Sequence, residues 1–215
     1  MKHIIAYEGL AAMSLGLLQE AYGPLFVPWA NRRIDVEGTH IRPPYWPNDF
    51  VEWLNALRKD KGRNEVFAIL LKTKAGKTSS YRYVGQTGIH DIQWPQGVGT
   101  TGSIIGVKSA QGMGVGTEAK FWLLHHSFNV LGLRKVISHV KGFNLQSAAH
   151  LIKCGYKFVG KYRRHIPHDG KFVDDVLFEV FPEDWEPIWN LYKKTRIVPK
   201  LTKAQQKLLK EVFAS

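Results

Sequence analysis

Cysteine is almost missing from this chain of 215 residues, with Cys154 standing alone. One thiol closes no internal disulfide and supplies no multi-cysteine metal site, so a disulfide-stapled scaffold is excluded and a reducing, cytoplasmic setting is expected. Long apolar runs are missing as well: no stretch reaches the eighteen or so residues that cross a bilayer, and no membrane partner is expected. Met1 to Leu18 carries Lys2 and an apolar run from Gly9 to Leu18, but Glu8 breaks the approach to it and no small-residue cleavage site follows, so it is not read as a signal peptide. Acids are in short supply. Eighteen Asp and Glu face 30 Lys and Arg, a formal net charge of +12, which asks for an anionic partner: nucleic acid, a membrane surface or a phosphorylated ligand.

What is present is a core-forming composition, 44% hydrophobic and 12% aromatic, which excludes collagen-like, coiled-coil and wholly disordered chains. The charge is uneven. Residues 193–215 hold seven basic residues and one acid, so +6 lies in the last 23 positions. Apolar spacing predicts a helix over Leu10 to Tyr22 and another after Asp49 as N-cap, carrying Phe50, Trp53, Leu54 and Leu57. Between them, Arg42-Pro43-Pro44-Tyr45-Trp46-Pro47 cannot be helical. The period then changes to strand. Val66–Leu71, Tyr81–Gln93 and Gly102–Val107 read as an antiparallel meander joined by a Lys74–Lys77 turn and a Pro95/Gly97/Gly99 turn. A helix follows, with Trp122, Leu124, Phe128 and Leu131 on one face and Gly132 as its C-terminal stop. Arg134–Val140 returns as a strand, and Leu145–Lys153 as a short helix closed by Gly155. Tyr156–His165 pairs with Phe172–Phe181 across His168-Asp169-Gly170, and a last helix begins near Thr202.

The stretch with most chemical content is Gln111-Gly112-Met113-Gly114-Val115-Gly116-Thr117, between the meander and the long helix. Three alternate glycines let successive N–H groups face one concavity, and the helix adds its positive end, an arrangement that suits a diphosphate. A plain strand-to-helix turn is the simpler alternative. The Lys-Ser/Thr ending of a P-loop is absent, with Thr117-Glu118 in its place, and Arg134-Lys135 stand where a dinucleotide fold would put its ribose-binding acid.

The loop and the residues around it resemble the GNAT N-acetyltransferase superfamily, and within it the branch of ribosomal-protein N-terminal alanine and serine acetyltransferases. The family's loop pattern is met by Gln111, Gly114 and Gly116. The match continues through Thr117-Glu118-Ala119, Phe128, Leu131-Gly132-Leu133, Lys135-Val136, Asn144, Ser147, Lys153, Gly155-Tyr156, Gly170 and Asp174, with Gly88–Ile92 before the loop, and covers about residues 64 to 185. The resemblance implies a mixed α/β domain, a twisted and mainly antiparallel sheet with helices on both faces, expected at 1–185; a basic helical tail, outside the match, is read at 186–215. It implies acetyl transfer from acetyl-CoA to a primary amine by direct attack, with no metal.

By the same resemblance the backbone of Ile104, Ile105, Gly106 and Val107 holds pantetheine and polarises the thioester, while Gln111, Gly112, Met113, Gly114, Val115, Gly116 and Thr117 cradle the pyrophosphate. Asn144 lies beside the pantetheine arm and the Ser147 hydroxyl near the cofactor sulfur. Read without the family, both are local helix-start residues. Two departures stand out. Leu151 occupies the place of a tyrosine general acid, and Thr100 that of a frequent glutamate base. Asp91, through a water, is the expected base, with His90 beside it on the opposite strand face by alternation.

Other polar groups are read as structural. His125 and His126 project about 100° apart on a helix and cannot chelate one ion together. His165 and His168 lack further ligands at zinc spacing. Asp174 and Asp175 are separated by strand alternation, and Cys154 is read as a buried small hydrophobe. Trp94, Tyr45, Trp46 and Tyr162 are candidates for the acceptor side, and Lys161-Tyr162-Arg163-Arg164 for an anion. The expected partner is an amine-bearing acceptor, a protein N-terminus or a small molecule. A ribosome or RNA contact through the tail and a homodimer complete the expectations. The rival of another class is a nucleic-acid-binding module that kept this fold and lost catalysis, supported by Thr100, Leu151 and the cationic tail.

Overall fold

Val66 to Leu71 contains no polar side chain, which suits a strand covered on both faces. It forms the centre of β3 (Glu65–Ala75). In the computed structural model, which describes residues 3–11, 13–32, 45–60, 62–75, 78–168 and 170–214, the chain divides into two units. The first comprises Met1–Ile92 and Gly102–Leu123; the second comprises Gln93–Thr101 and Leu124–Ser215.

In the first unit β1 (Ile5–Tyr7), β2 (Met13–Leu17), β3, β4 (Thr78–Gln93) and the end of β5 (Val98–Ile105) are neighbours in that order. The β1–β2, β2–β3 and β3–β4 pairs are antiparallel. β3 sends Phe67, Ile69 and Leu71 into a cluster with Val115, Ala119 and Leu123 of α3 (Val115–His125). Its other face gives Ala68 and Leu70 to a cluster with Phe26 and Trp29 of α1 (Gly23–Asn31) and Phe50 and Leu54 of α2 (Pro47–Lys59). Helices on both faces follow from that alternation.

The helix expected over Leu10 to Tyr22 is instead β2 followed by a single 3₁₀ turn, Glu20–Tyr22. A short apolar run does not distinguish strand from helix by period alone. Pairing decides it: Met13 lies opposite Leu71 and Leu17 opposite Phe67, and a Cβ on Gly16 would stand 2.6 Å from Leu70 Cδ1. The helix expected after Asp49 begins earlier, at Pro47. Trp46 is its N-cap residue, and the Asp49 carboxylate accepts the Trp46 N–H at 2.7 Å. β5 also starts earlier than expected, at Val98, so Gly99 belongs to the strand. Arg42–Pro44, Gly76–Lys77 and Asp169, named above in a linker and two turns, lie outside the described residues.

In the second unit the order is β5, β6 (Lys135–Lys141), β8 (Lys171–Val180), β7 (Lys157–His168). β5 and β6 are parallel over Val98↔Lys135 to Thr100↔Ile137, and the other two pairs are antiparallel. The expected long helix continues past α3 as a π-helical turn, His126–Val130, in which the Leu131 N–H reaches the His126 carbonyl. Gly132 ends it at φ +66°. α4 (Leu145–Lys153) is closed by Gly155 at φ +98°, as expected. α5 (Pro182–Thr195) places Trp185 beside Phe128 and stacks it on Trp189. α6 (Lys203–Val212) starts at Thr202, whose hydroxyl accepts the Gln205 N–H. Both units together carry the mixed α/β, mainly antiparallel architecture that the sequence implied.

Candidate active site

The end of β5 enters the glycine loop through a bulge: the N–H groups of Gly106 and Val107 both point to the Val84 carbonyl, at 2.9 and 3.4 Å. The Val107 carbonyl accepts the Ala110 N–H at 2.9 Å, so its backbone donor and acceptor are both engaged, and its side chain packs into both clusters of the unit. Gly106 has no room for a side chain, since a Cβ there would stand 2.0 Å from the Trp29 ring. An Arg32 guanidinium N–H donates to the Gly106 carbonyl at 2.6 Å and ties α1 to the start of the loop.

Gln111 acts through its side chain: Nε2 donates to the Ile105 carbonyl at 2.8 Å, bracing the loop against the end of β5. Ala110 and Val115, both buried, anchor the two sides. Between them Gly112 and Gly114 adopt φ +76° and +80°, with Met113 exposed between. Positive φ at alternate residues turns successive N–H groups into one concavity. The Glu118 N–H bonds the Gly114 carbonyl at 3.0 Å, which makes Gly114 the residue before the helix and leaves Val115, Gly116 and Thr117 with the N–H groups that a helix start cannot satisfy internally. A Cβ built on Gly112 or Gly114 meets nothing within 4 Å, and one on Gly116 meets only Ile105 Cγ1 at 3.8 Å. Among the described residues, then, nothing fills the space just outside these glycines, and the donor set fits the diphosphate of a CoA molecule. Ile104, Ile105, Val107 and Gln111 to Thr117 lie along this one stretch, but the backbone N–H and carbonyl groups of Gly106 and Val107 are engaged within the protein and are not free to hold pantetheine as expected.

One residue with a role that sequence reasoning missed is Glu118, only 2% exposed in the first turn of α3. Its Oε1 accepts the N–H groups of Leu10 and Ala11, the latter at 2.8 Å, across 107 positions of sequence. The helix N-terminus favours a carboxylate there, and the two N–H groups replace its water. Lys72 fastens the same segment, with Nζ 2.8 Å from the Gly9 carbonyl and 2.7 Å from Glu8. The helix that opens at the cradle is thus latched to the β1–β2 connection.

Asp91 is exposed and has φ +50°, so it is not extended and the expected alternation with His90 does not hold. Its N–H donates to Asn64 Oδ1 at 3.2 Å. His90 lies over two glycines, its Nε2 within 3.1 Å of a Cβ built on Gly88 and 3.8 Å of one on Gly102. Burial holds the His90 imidazole below the usual histidine range, with Lys120 adding to the effect and Asp91 opposing it.

Asn144 and Ser147 belong to the second unit. Asn144 caps α4, its Oδ1 accepting the Ser147 N–H at 3.0 Å, and Ser147 is half-buried on the first turn. Thr100 closes the short parallel register opposite Ile137, and Leu151 is buried. Asp174 and Asp175 do separate as expected: Asp174 binds Lys161 at 2.8 Å and Asp175 binds His139 Nδ1 at 2.8 Å. That bond raises the His139 imidazole above its ordinary value. The His139–Asp175 pair, 36 positions apart, has no signal in the sequence. Of the aromatic candidates, Tyr45 packs edge-on against Phe26, whereas Trp46, Trp94 and Tyr162 are exposed. Cys154 is fully buried. No described helix is long and apolar enough to cross a membrane.

Among solved structures, a spermidine N-acetyltransferase from Vibrio cholerae, in complex with CoA and spermine, shares the fold: 16% identity, TM-score 0.72, covering 82% of this chain and 99% of that one. A provisionally assigned acetyltransferase from T. thermophilus is 25% identical with a TM-score of 0.67, covering 92% and 97%. No curated protein sequence matches. The acetyltransferase (GNAT) domain family matches residues 18–157, a span that includes β3 to β6, the glycine cradle and α4. This chain belongs to the GNAT family of acetyl-CoA-dependent acetyltransferases.

Proposed function

We propose that the protein acetylates a primary amine of low basicity, a protein N-terminal α-amine before a small-molecule amine. Thr100 carries this reading. The position where relatives often place a glutamate base has a hydroxyl that takes no proton at neutral pH, so the acceptor must itself supply an appreciable neutral fraction. An α-amine with a pKa of about 7.7–8.0 is neutral in roughly a tenth of molecules at pH 7, whereas an amine near 10.4 is neutral in well under one in a thousand. The +12 net charge also slows the approach of a polycation such as a polyamine.

In this reading the loop from Gln111 to Thr117 holds the CoA diphosphate with helix-start N–H groups, and the backbone at Ile104 and Ile105 takes the pantetheine arm, with Val107 packing beneath it. Acetyl-CoA supplies a thioester acetyl group. Ser147 donates its hydroxyl proton in a hydrogen bond to the leaving sulfur, and Asn144 keeps Ser147 in place by capping α4. Asp91, through a water, accepts the proton released by the amine, and His90, held neutral by burial, is its neighbour for that task. The buried single thiol suits a reducing, cytoplasmic setting.

Thiol release from acetyl-CoA tests the proposal with Ala- and Ser-initiated peptides, spermidine and an aminoglycoside at pH 7. The peptides should show the highest kcat/KM. Preference for spermidine would assign the small-amine activity, and CoA binding without turnover on any amine would leave a binding module.

A further inference from the structure

The seven cations of residues 193–215 are all exposed; six of them form two sets with different explanations, and Lys200 lies between the sets. Lys193 and Lys194 lie in the last turn of α5 and Arg196 caps it, donating to the Tyr192 carbonyl, so these three complement the carbonyl end of a helix. α6 breaks that rule. Lys203 stands at its first position, where a cation opposes the helix dipole, and no acid occupies the first turn. Lys203, Lys207 and Lys210 are spaced by four and three residues, so they share one face at rises of about 6 and 4.5 Å. Glu211, 3.7 Å from Lys207, is the one acid of the last 23 residues. The stripe is not a loose tail: Leu209 is 5% exposed, Thr202 and Gln205 close a capping box, and α6 contacts α4. A fixed row of like charges, with a cation at the wrong helix end, is relieved by a polyanion.

A membrane surface does not fit, because an amphipathic helix needs a free apolar face and that of α6 is spent on the fold. Leu209 is buried, and Leu208, Val212 and Phe213 are half-buried. β7, in the same unit, narrows the polyanion. Its register with β8 jumps from Tyr162↔Asp175 to Ile166↔Val173, two residues longer on the β7 side. Within the bulge Arg164 has φ +50°, a strained conformation for an arginine, and Asp174 sustains it by accepting the Arg164 N–H at 2.8 Å and pairing with Lys161. Tyr162, Arg163, Arg164 and His165 are all exposed there, with the Tyr162 and His165 rings 5.1 Å apart. Aromatic rings beside guanidinium planes are what unstacked bases lie on, and duplex DNA offers none.

We infer that the second unit binds RNA, the α6 lysines on its phosphates and the β7 bulge on an unpaired base. The full-length protein is titrated against a fluorescein-labelled RNA hairpin with a single-stranded loop, reading anisotropy across a potassium chloride series. Three phosphate contacts should give a log–log salt slope of about −2 to −3. The Lys203→Gln/Lys207→Gln/Lys210→Gln variant should bind at least about tenfold more weakly at low salt and lose most of that slope. Tyr162→Ala should weaken binding with the slope retained. If the triple variant melts early, Lys207→Gln alone should reduce the slope by about 0.7–0.9. Acetyl transfer to the best amine should be unchanged in these lysine variants, which keeps this inference separate from the catalytic one. Absence of RNA binding at low salt, unchanged affinity in the triple variant, or equal binding of a DNA duplex or of phosphatidylserine vesicles would overturn it.

Discussion

Gly116 is where the anion cradle makes opposite demands on the free and the CoA-bound protein. It is the second residue of α3, outside the left-handed region, and an added methyl would meet only Ile105 Cγ1 at an ordinary contact distance of 3.8 Å. Alanine is the better helix former and leaves the unfolded chain fewer conformations, so Gly116→Ala should stabilise the free protein by about 0.4–1 kcal/mol. At this chain length that raises Tm by about 1–4 °C. The new Cβ leans toward the helix N-terminus, the side on which the proposed cradle would take the diphosphate. Loss of one hydrogen bond to a charged group costs about 1.5–3 kcal/mol, a rise in Kd for CoA of roughly 10- to 150-fold. Gly114→Ala should lose affinity too, but its φ of +80° adds about 1–2 kcal/mol of backbone strain. Gly132→Ala is the control, at φ +66° with an equally open Cβ position: it should bear the same strain and bind CoA normally. Thermal melting gives the stability, and calorimetry with CoA the affinity. A Gly116→Ala protein that is more stable and binds CoA with the parent Kd would refute the cradle, and a destabilised one would refute the packing argument.

Ser147→Ala keeps the N–H that Asn144 accepts, so Tm should stay within about 2 °C and CoA affinity should hold, while kcat falls at least about tenfold in a single-turnover assay. Asn144→Ala removes the α4 cap and should cost about 1 kcal/mol, read as a Tm lower by about 2–4 °C. Glu118→Ala strands two partly buried N–H groups and should cost about 2–4 kcal/mol, whereas Glu118→Gln, which retains an acceptor oxygen, should cost less than half as much in urea melts. The His139–Asp175 bond favours protonated histidine, so its stabilisation is full below about pH 6.5 and is lost as pH rises through the higher folded value. The Tm gap between parent and His139→Gln should therefore shrink from pH 6 to pH 9, and a constant gap would remove the pair from the pH dependence.

The parts of this fold legible from sequence are those written by neighbours in the chain. Glycines at 112, 114 and 116 mark the cradle because positive φ and close approach are properties of single residues. Thr202 marks the start of α6 through a bond three residues long. Asn144 shows how far that goes: its capping role is local and visible, whereas a role beside a cofactor came only from resemblance. β2 was illegible for the opposite reason, since Met13 to Leu17 carries helical spacing and becomes a strand only because β3 lies alongside.

By itself, then, the sequence determined the glycine loop before α3, the alternation that buries both faces of β3, the hairpin of β7 and β8, and the cationic excess of the last 23 residues. The tertiary structure alone decided the strand state of β2, the latch from Glu118 to Leu10 and Ala11, the His139–Asp175 pair, and the strained bulge that Asp174 holds at Arg164. The physical reason is range. Backbone conformation and charge count are set residue by residue, but a carboxylate's partner is whatever donor the fold carries to it, here across 107, 36 or 10 positions of chain.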